Sequence, residues 1–484
     1  MGLADKGGYL AGLIKKHGIL GLVRKAIEKK TDSFEKEYRA DDKRWSPTQE
    51  ELARQRAYVW RDSPVISVVV PAYETPELFL RQLIASVLAQ TYGRWELIFA
   101  DGSRTDRVET VVREYEKKDG RIRYKRLSKN GGISANTNEG FAMANGAFIG
   151  LLDHDDLLSP QALFQVAAAV GRHPQARVFY SDEDKVSADL RVHMQPHLKT
   201  DFDRELLYSY NYICHFLVFS RELLREVGGL DETYDGSQDY DFILRLSERE
   251  ERFVHIPEIL YHWRVHEGST AASSLAKDYA YDAGCRALSA HLKRIGRNAV
   301  VETAKGRAFY RVCYKPGGAR KRSVYVTHRE LSEGVEVSDD IAWLVVCDKS
   351  HVHRATAGWE EILLAMGEAV GAGIVGARFL GPRYRVVDAG LERGEDGGVV
   401  CQFAGLYGWF HGYFDRAVLP REVSGVRLSV CVIRTEVIRA ICGEVKIDRK
   451  LLATLDGNLS FCEEAGQLGY PVLVNPRVTA VYKG

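Results

Sequence analysis

Between Pro64 and about Ile256 the sequence alternates short, β-branched apolar runs with amphipathic segments of helical period, which confines the fold to very few classes. Ile66–Val70, Trp95–Ala100, Ile122–Arg126, the run Gly146–Gly150 leading to Asp153, and Val178–Tyr180 predict strands. Glu77–Gln90, Val108–Lys117, Ile133–Ala144 and Gln161–Gly171 predict the helices between them. Apolar strands joined by helices predict an α/β fold with a Rossmann-like, doubly wound, mostly parallel sheet. Ser181 to Ser220 reads as a less regular insert, followed by short helices Glu222–Val227 and Gln238–Glu248 and the helical segment Asp278–Ile295.

At 484 residues the chain is too long for one typical domain. Past Gly317-Gly318 and the basic Arg320-Lys321-Arg322 the α/β pattern restarts on a smaller scale. The reading is a basic N-terminal segment with linker over 1–62, a main domain over 63–300, a linker over 301–322 and a smaller domain over 323–484. Within 8–30 the apolar Leu10, Leu13, Ile14, Leu20, Val23 and Ile27 alternate with Lys15, Lys16, Arg24, Lys25, Lys29 and Lys30. Such helices suit either an anionic membrane surface or the flank of the main domain.

The chemistry concentrates where the fourth strand ends, in Leu152-Asp153-His154-Asp155-Asp156. Open α/β sheets bind ligands at the C-terminal ends of their strands. In an extended exit, side chains two apart point the same way, so Asp153 and Asp155 share a target while Asp156 points elsewhere or caps the helix that Pro160 begins. Clustered carboxylates repel unless protons or a cation offset them, and oxygen ligands at this density suit Mg2+ or Mn2+ carrying substrate phosphates. An acidic turn that merely caps a helix has the same local sequence. Pro71-Ala72-Tyr73-Glu74, Asp101-Gly102-Ser103 and Asn130-Gly131-Gly132 fall on the same edge, an order that suits a nucleotide laid across the sheet.

A formal net charge of +1 argues against a general nucleic-acid binder, which needs an excess of Lys and Arg. Eight cysteines without C-x-x-C spacing argue against a zinc ribbon or disulfide framework and for a reducing cytoplasm. The sequence shows no bilayer-spanning run and no signal peptide. The expectation is a cytoplasmic protein, with its basic N-terminal helices as the means of peripheral contact at the inner face of the membrane.

From Ser67 to Thr270 the chain resembles the family 2 glycosyltransferases of the GT-A fold, of bacterial surface-polysaccharide type. The resemblance rests on Val69-Val70-Pro71-Ala72-Tyr73, Ala100-Asp101-Gly102-Ser103, Leu152-Asp153-His154-Asp155-Asp156, Val227-Gly228-Gly229-Leu230-Asp231, Gln238-Asp239-Tyr240-Asp241 and Tyr261-His262-Trp263-Arg264-Val265-His266, in that order. It implies that Pro71, Tyr73, Glu74, Asp101 and Asn130 hold the nucleoside, and that Asp153 and Asp155 form a D-x-D metal site completed by His266. Asp153 would also lie against the donor, and Arg264 and Ser269 would grip the diphosphate. Where the family often has arginine after the glycine pair, this chain has Asn136-Thr137-Asn138. Gln238-Asp239 stands where the family usually has Glu-Asp, and the resemblance makes Asp239 the catalytic base of an inverting transfer. A carboxylate near a helix N-terminus is also favoured by the helix dipole, so Asp239 could equally be a cap. Asp241 reads as structural or acceptor-facing, and His262 as a satisfied histidine in a polar loop.

Residues 323–484 resemble a truncated second module of the same family: the aspartate position reads Cys347-Asp348-Lys349-Ser350, a poor divalent-metal site. A non-catalytic role follows, in packing, shaping an acceptor groove or making a homodimer. The chain thus reads as a metal-dependent (Mn2+ or Mg2+), inverting glycosyltransferase moving a sugar from a UDP- or dTDP-sugar to a glycan or lipid-linked acceptor. The competing class is a non-catalytic glycan-binding or assembly protein on the same shell.

Overall fold

A computed structural model describes residues 37–38, 42–266, 274–303, 309–318 and 322–482. The expected N-terminal helices within 8–30, and Ser269, lie outside the described residues. The chain divides into two compact units, Asp41–Cys313 and Tyr314–Gly484.

In the first unit the strands are β1 (Ile66–Ala72), β2 (Trp95–Asp101), β3 (Ile122–Arg126), β4 (Phe148–Leu151), β5 (Leu157–Leu158), β6 (Val178–Ser187), β7 (His193–His197), β8 (Leu217–Ser220) and β9 (Phe253–Val265). They form one nine-stranded sheet in the order β3-β2-β1-β4-β8-β6-β9-β5, with β7 added to β6. The front half is parallel: Ala72 pairs with Asp101 and Val69 with Leu151, so β1, β2 and β4 deliver their C-terminal ends to one edge. All seven residues of β1 are buried, as expected of a central strand covered on both faces. Helix Ile133–Met143 seats directly on this strand through Gly140, where a Cβ would come within 2.4 Å of Val69 Cγ1. Val70, Leu83, Ile84, Leu97, Phe99, Val108 and Val112 belong to one continuous core.

The back half is mixed. β8 runs antiparallel between β4 and β6, while β6 and β9 run parallel. The stretch expected as an irregular insert therefore contains regular structure: the far end of β6, all of β7, the short helix Arg204–Leu207 and β8. Its signal is hidden because β6 carries the buried polar run Ser181-Asp182-Glu183-Asp184 instead of apolar residues. For the same reason His262, expected in a polar loop, lies near the end of the 13-residue strand β9, where it pairs with Asp184 of β6.

The second unit contains a mixed eight-stranded sheet. Its main path is Ser323–Val326, Trp343–Cys347, Val430–Arg434, Ile374–Leu380, Val472–Tyr482 and Val352–Ala355. Helices Trp359–Val370 and Leu455–Gln467 supply core residues such as Leu363, Met366, Phe461 and Cys462. Among the described residues no helix is long and apolar enough to cross a membrane.

Candidate active site

The C-terminal edge of the parallel strands opens into a cleft of about 530 Å³, lined by Pro71, Ile133, Thr137, Leu151, Leu152, Asp153, Cys214, His215, Leu217, Leu230, Gln238 and Asp239. It brings together two carboxylates 86 positions apart in sequence, Asp153 from the end of β4 and Asp239 from the first turn of helix Gln238–Ser247. That helix forms here because Phe242, Ile243 and Leu246 bury one face and Tyr240 anchors its start, donating its hydroxyl to Leu207 O at 2.7 Å. Asp239 Oδ2 accepts from Asn211 Nδ2 at 3.0 Å, and Oδ1 accepts from the Tyr240 N–H at 2.8 Å. Negative charge at this N-terminus is stabilised by the helix dipole and both donors. Asp241 faces away from the cleft, fully buried, and accepts from Arg245 Nε at 2.8 Å, which gives it the structural role.

The aspartate run divides its work. Asp153 leaves β4 with 45% of its side chain exposed. Desolvation raises its carboxyl, Asp155 and Asp239 add to the rise, and His215 opposes them. Asp155 Oδ2 lies 2.7 Å from His266 Nε2, joining the two residues expected to share a cation. Asp153, Asp155 and His266 do not all come within 4.8 Å of one another among the described residues. As a donor set, two carboxylates and an imidazole fit a divalent cation, and the half-exposed Asp153 faces the cleft with room for one. Asp156 is fully buried; it accepts from the Tyr261 hydroxyl at 2.5 Å and the Arg264 N–H at 2.7 Å.

Arg264 sits beneath this loop. Its guanidinium is fully buried against the Phe79 ring at 4.2 Å and donates to Asp155 O, Gln82 Oε1 and Ala188 O. The structure therefore puts Arg264 where it holds the backbone of the aspartate loop, with Nη2 buried and lacking a hydrogen-bond partner among the described residues.

The nucleoside residues expected from sequence lie on the neighbouring loops. The Tyr73 ring is exposed beside Pro71. Glu74, with φ of +48°, spends its carboxylate on the β2 loop, accepting from the Arg104 N–H, the Thr105 N–H and the Thr105 hydroxyl. The Thr105 hydroxyl, followed by the Arg104 N–H, holds the Glu74 carboxyl below the usual carboxylate range. Asp101 is fully buried, accepting from Ser103 N at 2.8 Å and the Tyr124 hydroxyl at 2.6 Å. Asn130 Oδ1 accepts from Gly132 N and Asn136 Nδ2, so Asn136, in the stretch where the family often has arginine, closes this loop. Gly102 gives this crossing its room, because a Cβ would come within 2.7 Å of Asn136 Nδ2 and displace that side chain.

One group in the cleft carries no role in the sequence reading. His215 stacks on Tyr261 with ring centroids 4.7 Å apart and places Nε2 3.8 Å from Asp153 Oδ2. Its backbone N–H and Nδ1 meet Glu183 Oε2 at 2.6 and 2.9 Å. Burial would lower the imidazole, but Glu183 outweighs it, followed by Asp153, and the pKa is pushed up to about 9. Lys199, then His197 and His215, hold Glu183 well below the carboxylate range against its own burial. A fixed cation thus faces Asp153 inside the cleft. The available signal is the density of acids at 182–184 with histidines at 193, 197, 215, 255 and 262.

In the second unit Asp348 accepts from Ser350 N, Ser350 Oγ and His351 Nδ1, with His328 Nδ1 at 3.2 Å. Its carboxylate is engaged by its own turn.

Residues 67–228 match the family model described as Glycosyl transferase family 2. The chain is 32% identical to the uncharacterized protein y4gI of Sinorhizobium fredii, over 90% of this chain and 55% of that protein. It is 41% identical to the O-antigen biosynthesis protein RfbC of Myxococcus xanthus, over 55% of this chain and 21% of that protein. The uncharacterized glycosyltransferase EpsJ of Bacillus subtilis is 30% identical over 43% of this chain and 62% of its own. The chain therefore spans about half of the first of these relatives and about a fifth of the second. With the strand order and the aspartate loop already described, the match establishes that this chain carries, over residues 67–228, a family 2 glycosyltransferase domain.

Proposed function

We propose that the unit Asp41–Cys313 transfers a sugar, with inversion, from a UDP- or dTDP-sugar to a hydroxyl of a glycan or lipid-linked acceptor in bacterial surface-polysaccharide synthesis. The observation that carries the reading is the shared cleft of Asp153 and Asp239 at the C-terminal edge of the sheet. The exposed Tyr73 ring suits a base to stack on, and Asp101 retains lone pairs for a base N–H. Asp239 takes the proton of the acceptor hydroxyl; the acceptor oxygen bonds to the anomeric carbon as the bond to the diphosphate oxygen breaks, and the nucleoside diphosphate leaves. Inversion follows from this single in-line displacement, which needs no protein nucleophile.

A divalent cation, Mn2+ or Mg2+, held by Asp153, Asp155 and His266 would supply charge neutralisation at the diphosphate. Arg264 acts through the aspartate loop whose carbonyl it holds, and His215 adds a second positive centre beside Asp153. RfbC's name supports the surface-glycan setting. The second unit acts without turnover, as a packing or acceptor-shaping module or a dimer contact, and the basic N-terminal segment keeps the enzyme at the inner leaflet.

The test is a screen of nucleotide-sugars for hydrolysis and transfer by the purified protein, repeated with Asp239→Asn. Loss of transfer with intact donor binding supports the assignment. A wild-type protein that binds glycan but turns over no donor would favour a binding module.

A further inference from the structure

Behind the cleft lies a second cluster that the transfer chemistry does not use. Tyr261 and Trp263 of β9 face His215, so His262 between them points to the opposite side of the sheet. There it meets Asp184, its register partner on β6, and His193 on the adjoining β7. Asp184 Oδ1 lies 2.5 Å from His262 Nδ1, and Asp184 Oδ2 lies 2.6 Å from His193 Nδ1. The imidazoles stand nearly perpendicular, with centroids 4.9 Å apart. The carboxylate is fully buried, whereas the His193 and His262 side chains are 26% and 19% exposed.

We propose that Asp184, His193 and His262 form a site for one divalent transition-metal ion of zinc-like chemistry, separate from the cation expected at Asp153 and Asp155. Three ligand atoms lie within 4.8 Å of one another, on three adjacent strands that fix their backbones. Tetrahedral bonds of about 2.0–2.1 Å put ligand atoms about 3.3 Å apart, so side-chain rotation alone opens the cluster to the ion. The two partly exposed imidazoles leave the remaining coordination positions to water. Two imidazoles and one carboxylate favour Zn2+, Co2+ or Ni2+ over Mg2+, whereas the aspartate cleft is the more oxygen-rich of the two. A bound ion ties the edge strand β7 to the part of β9 that continues into Arg264 and His266, the residues that contact the aspartate loop.

The experiment titrates chelator-stripped full-length protein with Zn2+ alone by calorimetry, in the presence and absence of millimolar Mg2+. Wild type and Asp155→Asn are both expected to bind one Zn2+ that Mg2+ does not displace. His193→Gln is expected to weaken it by at least about a hundredfold, since one of only three protein ligands is gone. Equal zinc affinity in wild type and His193→Gln overturns the proposal, as does loss of the zinc in Asp155→Asn alone. If circular dichroism shows that His193→Gln misfolds, His262→Gln and the Co2+ absorption spectrum of wild type decide. Strong ligand-field bands of a four-coordinate site support it, and a weak, hydrated-ion spectrum refutes it.

Discussion

The Glu183–His215 pair makes a demand on stability that a surface contact would not. The imidazole is pushed from 6.5 to about 9, and its side chain is only 24% exposed. At 1.36 kcal/mol per pH unit this corresponds to about 3 kcal/mol, against less than about 1 kcal/mol for an exposed pair. Because the folded pKa is the higher one, the stabilisation is complete below pH 6.5 and is lost as the pH rises through about 9. Glu183 sets the other limit: its folded pKa is depressed, so its contribution is present above 4.5 and lost as the pH falls. Lys199 and His197 lead the lowering at Glu183, so only the part shared with His215 belongs to this pair, and it counts once. His215→Gln should therefore be less stable than wild type by about 3 kcal/mol at pH 6, and the gap should shrink steadily towards pH 10. Urea unfolding followed by tryptophan fluorescence measures it, since Trp263 touches His215 at 5.7 Å. Parallel stability profiles for the two proteins, or a His215 NMR titration midpoint near 6.5, would refute the argument.

Asp239→Asn preserves size and most hydrogen bonding but removes proton acceptance; transfer should fall by about a hundredfold or more while donor affinity by calorimetry stays the same. Asp155→Ala should weaken nucleotide binding in Mn2+ buffer and make it insensitive to chelator; equal wild-type donor affinity with and without chelator would remove the cation from the proposal. Asp348→Ala should leave total transfer unchanged in a product assay, its carboxylate being engaged by Ser350 and His351. Gly140→Val forces a side chain into Val69 and should cost about 1–3 kcal/mol or more, read from the shift in urea midpoint.

The front half of the sheet is legible because β1 and β2 are buried along their whole length and β4 at its centre, so they read as apolar runs; the positions of Pro71, Asp101 and Asp153 follow. Asp239 is legible only through the family's Glu-Asp position, since nothing local tells a base from a cap. The back half is hidden because β6 buries acids that pair with histidines of β9 and of the segment before β8, Asp182 with His255, Asp184 with His262 and Glu183 with His215. No hydrophobic period marks such strands, and a partner's identity depends on register that the sequence does not state. Arg264 illustrates the same gap: its motif is readable, but its burial beneath the loop depends on Phe79 and Gln82, 182 positions away for the latter.

The aspartate run shows why chemistry and fold are inseparable at this edge. Three carboxylates within four residues would repel if all faced one cleft. Alternation at the end of β4 sends Asp153 and Asp155 outward, while Asp156 turns into the protein to take the Tyr261 hydroxyl and the Arg264 N–H. Burial raises the Asp156 carboxyl well above its ordinary value, with Asp155 and Asp153 adding to the rise, so this third acid contributes less charge than its formula suggests. Arg264 then holds the carbonyl of Asp155 from below, and Tyr261 carries His215 on its ring face beside Asp153. Tyr261 and Arg264 of one strand thus set the loop's backbone, its charge and the imidazole facing it. The two outward carboxylates keep their aim because the inward one is anchored.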